Sequence, residues 1–264
     1  MMDKIETYHF MVEPFHVDFT GHLFLGVLGN HLLNAAGRHS HNRGWGIDQL
    51  NQTHFTWVLS RLSIELDQMP EQYAEVEVET WVESVMKLFT ERNFLIRNSK
   101  DGRIYGYARS IWAMIDTATR QPSDLLALKD GDILRYVLTP DEKQCPIAKH
   151  RPVRLSAAVQ PVRTIDTYYS DVDINGHINS VKYIEHILDL FPQSQFERHA
   201  IRRFEIAYKA EAYMGDTLTF VTEPSTDTLP DRTPVSTQLE IRKNAGSEAH
   251  PQGEPIVAAK VVWE

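Results

Sequence analysis

The chain of 264 residues holds a single cysteine, Cys145, which excludes an internal disulfide and suits a reducing compartment. It has no apolar run approaching the roughly 20 residues that a membrane-spanning helix needs. Its opening, "MMDKIETYHFMVEP", is too charged and too poor in apolar residues for a secretory signal. Together these absences predict a cytoplasmic protein. Positive charge is scarce too: 27 Lys and Arg stand against 36 Asp and Glu, a formal net charge of -9. General nucleic-acid binding needs a concentrated basic surface, so that class is disfavoured. The sequence has neither a Gly-rich phosphate loop nor a Gly-x-Ser-x-Gly elbow, which leaves nucleotide-dependent and serine-hydrolase chemistry unsupported. Twelve histidines include "HSH" at His39 to His41, but no further Cys or His spacing closes a zinc site, so neither a metal nor another cofactor is expected.

What is present is enough apolar residue, 42%, for one large domain or two small ones. An internal repeat favours two. Sliding "DFTGHLFLGVLGNHLLNAAG" from Asp18 over "DINGHINSVKYIEHILDLFP" from Asp173 brings Asp18 onto Asp173, Gly21 onto Gly176, His22 onto His177 and His31 onto His186 without a gap. In each half a helical pattern (Leu23, Val27, Leu28, Leu32, Leu33; then Tyr183, Ile184, Ile187, Leu188) precedes four strand-like stretches. The first set is "HFTWVLSRLSIEL", "AEVEVETWVES", "FTERNFLIRN" and "RIYGYARSIWAMID"; the second is "AIRRFEIAYKA", "TLTFVTEP", "PVSTQLEIRKN" and "PIVAAKVVWE". One helix followed by a mostly antiparallel sheet, present twice, is an α+β pattern and predicts two tandem hot-dog domains forming a pseudo-dimer. The expected boundaries are 1–135, a connection over 136–152 with Pro140, Pro146 and Pro152 as breakers, and 153–264.

The densest polar stretch is "DVDINGHINSVKYIEHILD", Asp171 to Asp189. Capping alone explains part of it, because Asp and Asn side chains accept the unpaired first N–H groups of a helix. The spacing asks for more. Asp173, Asn175 and His177 lie at i, i+2 and i+4, so on an extended segment they would share one face as a cluster of acid, amide and imidazole. Gly176 permits close backbone approach, and the helix expected to start near Asn179 offers free N–H groups at its positive end, which places an oxyanion contact there. In the first half Thr20 stands where Asn175 stands in the second, so the first-half site reads as degenerate and His22 as structural.

These residues resemble the acyl-acyl carrier protein thioesterases of plants and bacteria, which carry two hot-dog domains in one polypeptide. The likeness runs over nearly the whole chain. "DVDINGHINSVKYIEHIL" is similar to the family's Asp-x-Asn-x-His-(Val/Ile)-Asn-(Asn)-x-x-Tyr segment and "FEIAYKAE" to its strand ending Tyr-x-x-Glu. "GHLFLGVLGNHLLNAAGRH", "WVLSRLSIEL", "VETWVES" and "ARSIWAMIDTATRQP" resemble its first-half signatures. The resemblance implies thioester hydrolysis of fatty acyl-acyl carrier protein, with Asp173, Asn175 and His177 as motif carboxylate, amide and imidazole and Glu211 as a further catalytic carboxylate. Many plant members have a cysteine directly after that glutamate; here it is Ala212, and Cys145 lies outside both motifs, so thiolate catalysis is not expected.

Thioester hydrolysis needs an activated water or a nucleophilic carboxylate, a stabilised carbonyl oxygen and a departing thiol. Asp173 or Glu211 can act as general base or as nucleophile, and the sequence does not choose between them. Acyl-chain binding falls to the first half, with Leu25, Leu28, Leu32 and Trp57 as lining candidates. The acidic carrier protein calls for a local basic surface, for which Arg163, Lys182, Arg202, Arg203 and Lys209 are the candidates. An acyl-coenzyme A thioesterase, a hot-dog dehydratase and a non-catalytic acyl-binding protein are the competing readings, and two such chains could pair as a homodimer.

Overall fold

The computed structural model describes residues 3–156, 159–223, 227–231, 233–246 and 252–264. Pro224, at the end of one expected strand, lies outside them. The chain divides into two compact units, Met1–Lys149 and His150–Glu264.

The first unit runs β1 (Ile5–Met11), α1 (Leu25–His41), a short α2 (Ile47–Leu50), β2 (Phe55–Leu66), β3 (Glu75–Val85), β4 (Phe89–Asn98) and β5 (Ile104–Asp116). Its strands pair antiparallel in the order β1-β3-β4-β5-β2. Leu25, Leu28, Leu32, Ala35, Ala36 and His39 recur three or four residues apart along one stripe of α1 and are buried. That stripe packs on β1 and β3. Each leucine so covered contributes about 1.5–3 kcal/mol.

The second unit repeats the plan: β6 (Gln160–Asp166), α3 (Ser180–Leu188), α4 (Gln193–Arg198), β7 (Ile201–Tyr208), β8 (Thr217–Glu223), β9 (Ser236–Lys243) and β10 (Glu254–Trp263). Its strand order, β6-β8-β9-β10-β7, is the first unit's order element for element. Val181, Tyr183, Ile184 and Ile187 form the buried face of α3, and Tyr208 on β7 donates its hydroxyl to Ser180 O at 2.8 Å. Each unit is thus one main helix against a five-stranded antiparallel sheet, the expected hot-dog arrangement.

Two expectations are refined. Each sheet has a fifth strand ahead of its helix, β1 and β6, that the sequence reading passed over. The stretch read as a connection also packs on the first unit: Leu138 N donates to Val82 O at 2.8 Å, and Cys145 and Ile147 are buried against Trp81. The division falls after Lys149, inside the connection expected over 136–152, most of which belongs to the first unit.

The first unit carries an acid-sensitive core residue. His39 Nε2 bonds Lys4 O at 3.1 Å while its Nδ1 lies 3.3 Å from Arg92 Nη2, so the nitrogen facing the guanidinium must accept and the ring must be neutral. Burial, with Arg92 and Arg43 beside it, pushes its pKa down from 6.5 to about 2. As pH falls below 6.5 the unfolded chain takes up a proton that the folded chain refuses, so stability is complete above that value and declines below it. Chemical unfolding followed between about pH 6.5 and 5, above the carboxylate range, should show this decline, and His39→Gln should roughly halve it, because burial also pushes the pKa of His31 down to about 4. A pH-independent midpoint in the wild type over that window would refute the assignment.

Candidate active site

The polar stretch folds as a tight turn rather than as an extended face. Asp173 Oδ1 accepts the amides of Asn175 at 2.8 Å and His177 at 3.2 Å, and its backbone closes the turn through Gly176 N to Asp173 O at 3.0 Å. Gly176 sits at φ +81°, a conformation strained for any residue with a Cβ. Asn175 is therefore lifted to the exposed tip, while His177 turns inward and is partly buried. Ile178 N then donates to Ala212 O at 2.8 Å, which brings the turn beside the segment after β7. There His177 Nε2 lies 3.4 Å from Glu211 Oε2, and Tyr213 donates its hydroxyl to the same oxygen at 3.1 Å. The Tyr213 ring meets the imidazole edge-on, with centroids 5.2 Å apart. Nothing in its local pattern marks Tyr213, and the sequence reading missed it.

The first unit folds the same turn from residues 155 positions earlier: Asp18 for Asp173, Gly21 for Gly176 and His22 for His177. Gly21 also has φ +81°, and Asp18 Oδ1 again accepts the second following amide, Thr20 N at 2.8 Å. The chemistry differs. Thr20 Oγ1 bridges Asp18 Oδ1 at 2.6 Å and His22 Nδ1 at 2.8 Å, occupying both groups. Leu23 N donates to Pro70 O as Ile178 N does to Ala212 O, so Met69 falls where Glu211 stands. The first-half motif lacks both the amide and the second carboxylate.

The amides proposed for the oxyanion are already committed. Gly176 N serves Asp173 O, and Asn179 N serves Asp171 O at 2.8 Å. Asn179 is the N-cap of α3, its side chain accepting from Val181 N at 3.0 Å. Among the described residues the Ser180 amide, at the first helical position, has no acceptor.

The cations expected to receive a carrier protein are held by the protein's own carboxylates. Arg163 lies 3.8 Å from Asp189, Lys182 2.6 Å from Glu185, Arg202 3.8 Å from Glu264, Arg203 2.7 Å from Glu205 and Lys209 2.6 Å from Glu240. Leu25, Leu28 and Leu32 belong to the buried face of α1. Trp57 instead packs against the cluster of Trp45, Leu50, Met114, Leu125 and Ile133, its Nε1 donating to Trp45 O at 2.9 Å. In "HSH", His39 serves the core as described and His41 pairs with Asp48 at 3.0 Å. Cys145 is buried beside Trp81, and burial pushes its thiol pKa up, away from a thiolate.

Family models for the acyl-ACP thioesterase N-terminal domain and C-terminal domain match residues 4–127 and 157–264. The chain belongs to the acyl-ACP thioesterase family. It is 49% identical to the crystallised acyl-ACP thioesterase of Bacteroides thetaiotaomicron, covering 99% of this chain and 98% of that one with a TM-score of 0.87. The 12:0-ACP thioesterase of Umbellularia californica shares the fold at 20% identity, with a TM-score of 0.81 and coverage of 100% and 98%. Among curated relatives, a chloroplastic palmitoyl-acyl carrier protein thioesterase of Gossypium hirsutum is 25% identical over 97% of this chain and 62% of its own. A chloroplastic dodecanoyl-[acyl-carrier-protein] hydrolase of Cinnamomum camphora is 31% identical over 74% and 53%. The chain thus spans between half and two thirds of the length of these curated relatives. In this family member no described helix is long and apolar enough to cross a membrane, and no group of three or more His, Cys, Asp or Glu among the described residues is placed to hold a metal.

Proposed function

We propose that the chain hydrolyses fatty acyl-acyl carrier protein to free fatty acid and holo carrier protein, in the cytoplasm and in the service of fatty acid biosynthesis. The observation that carries this reading is the asymmetry between two matching turns: one has its acid and imidazole tied by Thr20, the other leaves them open beside Glu211. Asp173 Oδ1 is fixed by two amides, while its Oδ2 has no partner among the described residues. A carboxylate anchored by one oxygen presents the other in a defined direction, suited either to taking a proton from water or to attacking the thioester carbon.

In the first route, water loses its proton to Asp173 and adds to the carbonyl, and collapse breaks the C–S bond. In the second, Oδ2 forms the bond to carbon, the thiolate leaves, and water cleaves the resulting anhydride to restore the carboxylate. In both, the His177 and Glu211 pair supplies the proton that the departing sulfur takes up, and the Asn175 amide with the Ser180 N–H faces the carbonyl oxygen.

The test is release of free thiol from matched series of acyl-acyl carrier protein and acyl-coenzyme A substrates. Faster turnover of the carrier-protein series is expected, and Cys145→Ser should match the wild type. Preference for the coenzyme A series would reassign the carrier, loss of activity in Cys145→Ser would reinstate a thiol, and silence from both series would remove hydrolysis.

A further inference from the structure

Beneath the open turn lies a carboxylate that none of the steps above uses. Asp171 is 5% exposed, and its side chain takes two donors: Tyr168 N to Oδ2 at 2.8 Å and His186 Nε2 to Oδ1 at 2.9 Å. Its carbonyl accepts the amide of Asn179, the residue that caps α3. His186 is on the second turn of that helix. Val172 and Ile178, the residues flanking the Asp173–His177 turn, are bridged to each other. The Asp171–His186 contact therefore joins the base of the turn to the body of α3, on top of the backbone bonds that already close it.

The first unit shows what the turn does without this contact. The residues at the same step of 155 are His16 and His31. The backbone scaffold is intact there: Phe24 N donates to His16 O at 2.9 Å, as Asn179 N does to Asp171 O, and Glu13 N reaches His16 Nδ1 at 3.3 Å, as Tyr168 N reaches the carboxylate. The two imidazoles, however, only meet edge-on with centroids 5.9 Å apart, and His31 is stacked on Phe10 at 3.6 Å. The turn thus folds without a carboxylate–imidazole bond, and the bond occurs in the unit that also has Asn175 and Glu211. A contact dispensable for folding the turn, yet present where the turn carries open polar groups, has its use in their alignment.

We infer that Asp171 and His186 are a positioning pair that holds the Asp173–His177 turn, and through Asn179 the first amide of α3, in register with Glu211. This rests on the thioesterase reading of the same turn for its kinetic consequence, though not for its structural one. Both oxygens of Asp171 are taken up by Tyr168 N and His186 Nε2, so the pair acts through the geometry of the turn; misplacing such groups by an ångström costs about 100-fold.

The experiment compares His186→Phe, which keeps an aromatic ring without a donor, with His186→Gln, which keeps an N–H. Steady-state kinetics on acyl-acyl carrier protein should show His186→Phe losing about 10- to 100-fold in kcat with KM little changed, and His186→Gln recovering most of it. The matched first-unit change His31→Phe should leave kcat unaltered. Hydrogen exchange supplies a readout independent of turnover: the amides of Gly176, His177 and Asn179 should exchange faster in His186→Phe and return toward wild type in His186→Gln. Unchanged exchange in His186→Phe overturns the inference, as does a kcat loss that His186→Gln shares or that tracks a lowered unfolding temperature. A wild type that hydrolyses no thioester overturns the proposed function alone, and the exchange experiment still decides the pair.

Discussion

Asp173→Asn should lower kcat by about 1000-fold while leaving the unfolding temperature where it was. The separation follows from the two oxygens of one side chain. Oδ1 holds the turn by accepting the amides of Asn175 and His177, and an asparagine carbonyl can accept both. What the substitution removes is the negative charge at Oδ2, which water activation and nucleophilic attack each require. Asp173→Ala, by contrast, should lose the turn as well as the charge, and its unfolding temperature should drop. Single turnover in 18O-enriched water then probes the two routes. Label found in the Asp173 carboxyl means that an anhydride formed there and was cleaved by solvent at the aspartyl carbon; label confined to the fatty acid fits either general base catalysis or cleavage at the acyl carbon, and trapping of an acyl-enzyme with hydroxylamine separates those two. An Asp173→Asn protein that turns over like the wild type would relegate Asp173 to the structural part that Asp18 plays in the first unit, and would move the chemistry to Glu211.

Much of this architecture was readable from the chain because the repeat is physical as well as textual. Helices α1 and α3 announce themselves by a 3.6-residue apolar stripe, and β2 to β5 and β7 to β10 by alternation and by branched or aromatic residues. Strands β1 and β6 were missed because they lie at the edge of their pairing order, where only one neighbour dictates composition. β6 carries Pro161 and is exposed at six of its seven positions, so no burial pattern was written into it. Within the site, the residue types of Asp173, Asn175 and His177 were legible but their geometry was not. A period of two presumes an extended chain, and Gly176 at positive φ breaks that presumption, sending Asn175 outward and His177 inward. His186 was visible as the partner of His31 in the repeat, yet its target Asp171 aligns with a histidine, and such a swap has no meaning until the two turns are superposed as structures. The cations flanking the motif were legible as charges only. The pairings of Arg163 with Asp189, Arg202 with Glu264 and Lys209 with Glu240 join distant segments, which local sequence does not encode, whereas Lys182 with Glu185 on α3 and Arg203 with Glu205 on β7 are local pairs that spacing alone could have offered.

The largest effect on stability is expected from Arg109→Met, in the first unit. Arg109 on β5 donates from Nη1 to Glu83 Oε2 at 2.9 Å, from Nε to Ile147 O at 3.0 Å and from Nη2 to Cys145 O at 2.7 Å. Glu83 on β3 is buried, and the same Oε2 accepts Asn93 Nδ2 from β4 at 2.6 Å. Burial pushes the Glu83 carboxyl up, but the Asn93 hydrogen bond and the Arg109 charge together outweigh it and hold the group below the usual carboxylate range. Removing the guanidinium leaves that carboxylate with Lys149 at 3.5 Å as its remaining cation, and leaves two carbonyls of the 145–149 segment without their donor. Breaking a buried pair in this way costs about 3–5 kcal/mol, where an exposed pair would cost under about 1 kcal/mol. For a protein of this size the calorimetric transition of the first unit should fall by roughly 10 °C. Glu83→Gln added to Arg109→Met should recover part of the loss, because the penalty is that of an unmatched buried charge rather than of a missing contact. If Arg109→Met unfolds within about 1 kcal/mol of the wild type, the pair is solvated like any surface bridge, and the 145–149 segment is held on the first unit by the packing of Cys145 and Ile147 against Trp81 and by the contacts of Lys149 with Glu83 and Glu91.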